Sequence, residues 1–203
     1  MALVAAGGFA TSYFLNARNF VSTDNAQIDG EKILVNAPTT GTLVDWRATE
    51  GAVLNEDQVV GRIKIQGGFV QPLMSIRAPA DGTVAVDSGV PGAFVTVGTQ
   101  LAVAYDFEKL YVTARVEETD IKQVHLGQQV DVTVDAFSNA QLTGYVREIQ
   151  GGAAGEFSLF PQANASGNFQ KVTQVIPVKI ALADAQGLDL VPGMNVTVHI
   201  HKR

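Results

Sequence analysis

Along the second half of the chain the apolar positions recur mainly with a period of two. Leu110, Val112, Ala114 and Val116 point one way while Tyr111, Thr113 and Arg115 point the other, which predicts a half-buried strand. Further alternations run through Val130, Val132 and Val134, then Leu142 to Ile149, Val172 to Leu182 and Val196 to Ile200, separated by Gly, Asn and Pro. Between the first two strands, Glu117 to Val124 switches to helical character. Its acids fall in the first turn, where a helix dipole favours them, and Gly127 follows as a stop. Five strands and one short helix predict a small closed β-barrel, because closure removes the exposed edges of so many strands. Asn25 to Ile28 is a candidate sixth strand.

Ahead of that region lies an internal repeat. Val35–Ile63 and Ile76–Ala104 superimpose without a gap at an offset of 41, with six identities: Ala37/Ala78, Pro38/Pro79, Gly41/Gly82, Thr42/Thr83, Gly51/Gly92 and Ala52/Ala93. Pro38 and Pro79 fit strand starts, where no ladder donor is needed. Gly41 and Gly82 read as bends where a positive φ would resist a β-branched residue; Gly51 and Gly92 read as a second, reversing turn. Each half is too small to bury a face alone. Together they predict a compact sandwich with pseudo-twofold symmetry.

The first residues have a different character. Met1 to Ala17 carries no charge, and Arg18 ends the run. As a helix it would span roughly 25 Å, slightly short of a hydrocarbon core of about 30 Å. It is expected to be the outer end of a membrane helix; a cleaved signal peptide fits less well, because no basic segment precedes the run.

Composition narrows the function classes. The 203 residues include no cysteine, which removes disulfides, thiolate metal sites and cysteine nucleophiles. The net charge of −6 divides evenly about Ala104, nine acids against six bases before it and eleven against eight after, so no basic half points to nucleic acid. The charged fraction of 17% against 46% hydrophobic residues supports packed cores. His199 and His201 share a face of the last strand, but no third ligand is fixed by spacing, so no metal is expected. Glu117, Glu118 and Asp120 are explained by a helix start, and no nucleophile, phosphate-loop or metalloprotease motif occurs. No catalytic residue and no cofactor are expected. The long connection from Gln150 to Gln170 carries Phe157, Leu159, Phe160 and Phe169 among Gly, Ala, Asn and Ser. These four either cap the barrel or contact a partner.

The paired units, VNAPTTGTLVDWRATEGAVLNEDQVVGRI and IRAPADGTVAVDSGVPGAFVTVGTQLAVA, resemble the two halves of a biotinyl/lipoyl-like domain. In carrier enzymes that fold displays a modifiable lysine on the hairpin joining the halves. Here Gln66 to Pro72 contains none, and the nearest, Lys64, lies outward on an alternating strand. Split lipoyl-like domains also occur in the membrane fusion proteins, adaptor subunits of bacterial export pumps. Three further stretches resemble the HlyD and EmrA-like branch of that family. They are STDNAQIDGEKILVNAP from Ser22, LYVTARVEETDIKQVHLGQQVDVTVDAF from Leu110, and LFPQANASGNFQKVTQVIPVKIAL from Leu159 followed by LVPGMNVTVHI from Leu190.

The resemblance implies an all-β protein: a split lipoyl/biotinyl-like β-sandwich plus a small β-barrel with one short helix, after an N-terminal membrane helix. The expected domains are an anchor over 1–18, a linker and first barrel strand over 19–31, a lipoyl-like domain over 32–104 with halves 32–66 and 72–104, and a barrel over 105–203. It implies a non-enzymatic adaptor of drug or small-molecule efflux on the extracytoplasmic side. Its expected partners are a membrane transporter of the major facilitator type, the membrane itself and further copies of the chain. Relatives that reach an outer-membrane channel carry a long α-helical hairpin between the lipoyl halves, where this chain has only a short turn, so that contact is not expected. The rivals are a biotinyl or lipoyl carrier domain and a cell-envelope binding module.

Overall fold

A computed structural model describes residues 19–66, 71–137, 140–151 and 174–202. The chain divides into two units, one formed by Gly30–Lys109 and the other by the chain before Gly30 and after Lys109. The uncharged run of residues 1–17, with its expected membrane helix, lies outside the described residues.

The Gly30–Lys109 unit is a sandwich of two four-stranded sheets. Its strands are β2 (Lys32–Asn36), β3 (Gly41–Trp46), β4 (Val53–Leu54), β5 (Val59–Lys64), β6 (Leu73–Arg77), β7 (Gly82–Asp87), β8 (Phe94–Val95) and β9 (Gln100–Tyr105). The sheet orders are β2-β9-β7-β4 and β6-β5-β3-β8. Adding 41 to each strand of the first half gives its mate in the second, and this exchange turns one sheet into the other. Each sheet therefore takes two strands from each half, so neither half forms a sheet alone.

The bonds between halves repeat at the same spacing. The Gly51 N–H donates to Val84 O at 2.8 Å, and the Gly92 N–H to Leu43 O at 2.6 Å. Between the sheets lie Val35, Leu43, Val60, Ile63, Ile76 and Leu101, all buried, as the two-residue alternation requires. Trp46 and Asp87 are repeat-equivalent and bond to each other, Trp46 Nε1 donating to Asp87 Oδ1 at 2.8 Å. The same oxygen accepts from the Gly89 N–H at 2.8 Å. The pseudo-twofold thus passes between an indole and a carboxylate, a pairing that two identical halves could not make.

The other unit is a closed barrel in the order β1-β10-β13-β12-β11-β14. Its strands are β1 (Phe20–Asp29), β10 (Tyr111–Glu117), β11 (Gln129–Val134), β12 (Gln141–Ile149), β13 (Val175–Leu182) and β14 (Asn195–His201). Strand β1 contains Asn25 to Ile28 and is the sixth strand. All neighbouring pairs are antiparallel. Val112, Ala114 and Val116 face Val130, Val132, Val134, Ile180, Val198 and Ile200 in the interior, so the barrel is filled rather than hollow.

The helix expected over Glu117–Val124 is much shorter. Glu117 closes β10, and only Ile121–Gln123 is helical, as a single 3-10 turn. Its bonds run from Gln123 N–H to Asp120 O at 2.9 Å and from Val124 N–H to Ile121 O at 3.0 Å, three residues apart rather than four. With one turn there is no dipole to reward the acids, whose placement follows from solvent exposure instead.

Candidate functional site

The joint between the sandwich halves leaves β5 at Lys64 and enters β6 at Leu73, and it is closed by the Ile65 N–H donating to Pro72 O at 3.0 Å. Lys64 is exposed, with its backbone in the ladder opposite Thr42 and Leu73. A swinging-arm carrier needs its amine at a free tip; here the amine stands on a paired strand.

The repeat glycines divide into two physical classes. Gly51 and Gly92 have φ of +80° and +87°, a left-handed conformation that glycine adopts without a steric penalty. Gly41 and Gly82 are not among the positive-φ residues, so the positive-φ reason expected for them is incorrect. What they require is space. A Cβ on Gly41 would meet Lys64 O at 2.3 Å and Ile63 Cγ2 at 2.6 Å, and one on Gly82 would meet Ile33 Cδ1 at 2.7 Å and Tyr105 O at 2.9 Å.

Phe157, Leu159, Phe160 and Phe169 lie outside the described residues. The two strand histidines are held apart by separate partners. His199 Nδ1 lies 2.7 Å from Ser22 Oγ, and His201 Nε2 lies 2.8 Å from Asp131 Oδ2, while the Phe20 ring meets both imidazoles edge-on. Among the described residues no group of three or more His, Cys, Asp or Glu side chains is placed to hold a metal.

One buried polar side chain was not singled out from the sequence. Gln128 is 3% exposed; its Oε1 accepts from the His125 N–H at 2.7 Å, and its Nε2 donates to Gln123 O at 3.0 Å. It satisfies the turn that follows the 3-10 segment, beside Gly127 at φ +77°. The pair Gly127-Gln128 within the barrel stretch thus has a local structural job.

Two surface grooves lie among the described residues. One, of about 420 Å³, lies on the sandwich among Glu31, Glu56, Asp81, Asp106 and Lys109. There the hydrogen bond from Lys109 holds the Asp106 carboxyl below the usual carboxylate range, and Asp106 in turn raises the Lys109 ammonium. The other, of about 460 Å³, opens in the barrel wall beside β1. The sandwich also exposes large apolar side chains: Val53 at 69%, Val97 at 66% and Phe94 at 59%, of which Val53 and Phe94 are repeat-equivalent.

Comparison with known proteins decides between an adaptor and a carrier. Residues 109–201 match the AAEA-like beta-barrel domain family. The chain is 35% identical over 182 residues to the putative efflux system component YhbJ of Bacillus subtilis, covering 90% of this chain and 80% of that protein. The chain belongs to the membrane fusion protein family, HlyD/EmrA-like branch. It is also 36% identical over 129 residues to the colistin resistance protein EmrA of Acinetobacter baumannii, covering 63% of this chain but 36% of that longer relative. The fold of this membrane fusion protein resembles that of the membrane fusion protein Spr0693 from Streptococcus pneumoniae R6. The TM-score there is 0.62 at 13% identity, covering 91% of this chain and 99% of that one. These relatives are efflux components and adaptors, and none of them supports the carrier reading.

Proposed function

We propose that this membrane fusion protein is the non-enzymatic adaptor of a drug or small-molecule efflux system. In this reading residues 1–18 hold it to the cell membrane, 19–31 link to and begin the barrel, 32–104 form the lipoyl-like domain and 105–203 the remaining barrel. Both folded units stand on the extracytoplasmic side. The partner is a multi-span transporter, of the major facilitator type by similarity to the EmrA-like branch, and several copies of the chain assemble around it. The observation that carries the reading is the similarity to YhbJ, which runs through both units rather than through one shared module. The exposed Val53, Phe94 and Val97 are the sandwich residues proposed to meet a neighbouring copy. Phe157, Leu159, Phe160 and Phe169 are proposed transporter contacts. Among the described residues no helix is long and apolar enough to cross a membrane, so the anchor rests on the uncharged run alone.

Fractionation tests the anchor. The full chain should sediment with membranes, and a chain starting at Asn19 should stay in the soluble fraction. Equal partition of the two would remove the anchor from the proposal. Phe157→Ser with Phe160→Ser should leave the melting temperature unchanged while abolishing co-purification with the transporter; a destabilised variant that still binds would reassign both residues to capping the barrel.

A further inference from the structure

The offset of 41 carries over to the loops at the two ends of the sandwich. At one end the Ala37 N–H donates to Thr99 O at 2.8 Å and the Gly98 N–H to Ala37 O at 2.8 Å. At the other the Ala78 N–H donates to Gln58 O at 2.9 Å and the Asp57 N–H to Ala78 O at 2.9 Å. A side-chain bond repeats as well: Thr40 Oγ1 accepts from the Val97 N–H at 3.1 Å, and Asp81 Oδ1 from the Glu56 N–H at 2.7 Å. Even the left-handed residue recurs, Gly98 at φ +82° and Asp57 at φ +63°. The backbones of the two ends are built alike.

Their side chains are not. Residues 36–42, 71–75 and 94–100, with Ile65 and Gln66, include no charged side chain. The positions 41 residues away from them hold Glu31, Glu56, Asp57, Asp81 and Asp106 against Lys32 and Arg77. One backbone accepts either set, so folding does not require the uncharged one. Lys64, in the ladder opposite Thr42 and Leu73, borders the uncharged end. Exposed there are Leu73, Met74, Phe94 and Val97, among the amides of Gln66, Gln71 and Gln100.

When copies of one chain gather about an axis, a residue close to that axis meets the same residue of its neighbours, so a charge there faces like charge. This chain carries a net −6, and its acidic end would repel itself in that arrangement. The uncharged end would not. Its amides both donate and accept, so each can bond to its own counterpart. We propose that the uncharged end of the sandwich is the surface through which copies of this chain meet, with Thr40 and Val97 near the symmetry axis and the acidic end away from it. This rests on the assembly of several copies in the adaptor reading, and it assigns Phe94 and Val97 to one contact.

The chain has no cysteine, so single substitutions report proximity. In native membranes a flexible bis-maleimide should join Val97→Cys and Thr40→Cys chains into dimers, while Glu56→Cys and Asp81→Cys chains should stay single. Thr40→Asp/Val97→Glu carries the acidic side chains over to the uncharged end. Its melting temperature should match the parent, because Asp81 and Glu56 already occupy the same bonds. Its dissociation constant for self-association in detergent should nevertheless rise about tenfold or more, since like charges then face each other. Thr40→Asn/Val97→Gln, similar in shape but uncharged, should associate as the parent does. Cross-linking at the acidic end equal to that at the uncharged end, unchanged association of the Asp/Glu variant, or equal loss in the Asn/Gln variant would overturn the proposal. So would Val97→Cys chains joined to a different membrane protein and never to each other. Co-purification from the same membranes separates the two readings. A chain that captures the transporter without cross-linking at Val97 or Thr40 refutes the contact alone. A chain that cross-links as expected yet never recovers a transporter refutes the adaptor reading and leaves the contact standing.

Discussion

Gly41→Val is expected to destabilise the sandwich unit by about 3 kcal/mol or more, at the upper end of what overpacking costs. The atom it strikes first is Lys64 O, 2.3 Å from the new Cβ, and that carbonyl belongs to β5, paired with β3 on one side and β6 on the other. A side chain could swing aside; a carbonyl fixed in a sheet cannot. Gly82→Val should cost somewhat less, because the nearest atom there is the free end of Ile33, at 2.7 Å, with Tyr105 O slightly farther off at 2.9 Å. Gly51→Ala is the contrast. Its Cβ meets nothing within 4 Å, so only the φ of +80° opposes it, at about 1 kcal/mol. Urea unfolding followed by Trp46 fluorescence reads all three, since Trp46 is the one tryptophan in the chain and lies in this unit. Equal midpoints for Gly41→Val and Gly51→Ala would show that spacing does not govern Gly41.

Ile180→Ala should cost the barrel about 2–5 kcal/mol. Ile180 is fully buried and stands in register with Val112 on one neighbouring strand and Val146 on the other, so truncation leaves a gap walled by backbone that pairs on both sides. The neighbouring Lys179 points outward. It contacts Glu148 at 3.2 Å and rests 5.7 Å from the Tyr111 ring centroid, and Lys179→Ala should cost less than about 1 kcal/mol because Glu148 is exposed and Lys179 partly so. Thermal unfolding by far-UV circular dichroism distinguishes the two. Similar shifts for both variants would mean that the interior is not close-packed around Ile180.

The repeat was legible because its identities fall at turns and strand starts, where the backbone restricts residue choice. Pro38 with Pro79 and Gly51 with Gly92 reveal the offset before any packing is known. The barrel strands were legible because each has one wet face, so Val130, Val132 and Val134 alternate cleanly. What escaped depends on neighbours distant in sequence. Gly41 needs space because β5 passes beside it, and nothing local to Gly41 encodes that approach. Leu73 and Met74 are apolar yet exposed, since β6 is an edge strand with only Ile76 buried. The register shift in β1 between Thr23 and Ala26 leaves a normal apolar pattern on both sides, so it has no sequence signature. Glu117 to Val124 looked helical by its charges, but β10 pairs with β13 through Glu117 and leaves room for one tight turn.

Cells that keep the transporter but lack this chain give the most direct test of the efflux assignment. When they are loaded with a panel of fluorescent amphiphilic dyes, steady-state accumulation of at least one dye should rise several-fold over the parent. The full chain should restore the parental level, and the Gly41→Val chain should not. Equal accumulation of every dye in parent and deleted cells, with the transporter present in both membranes, would contradict the assignment.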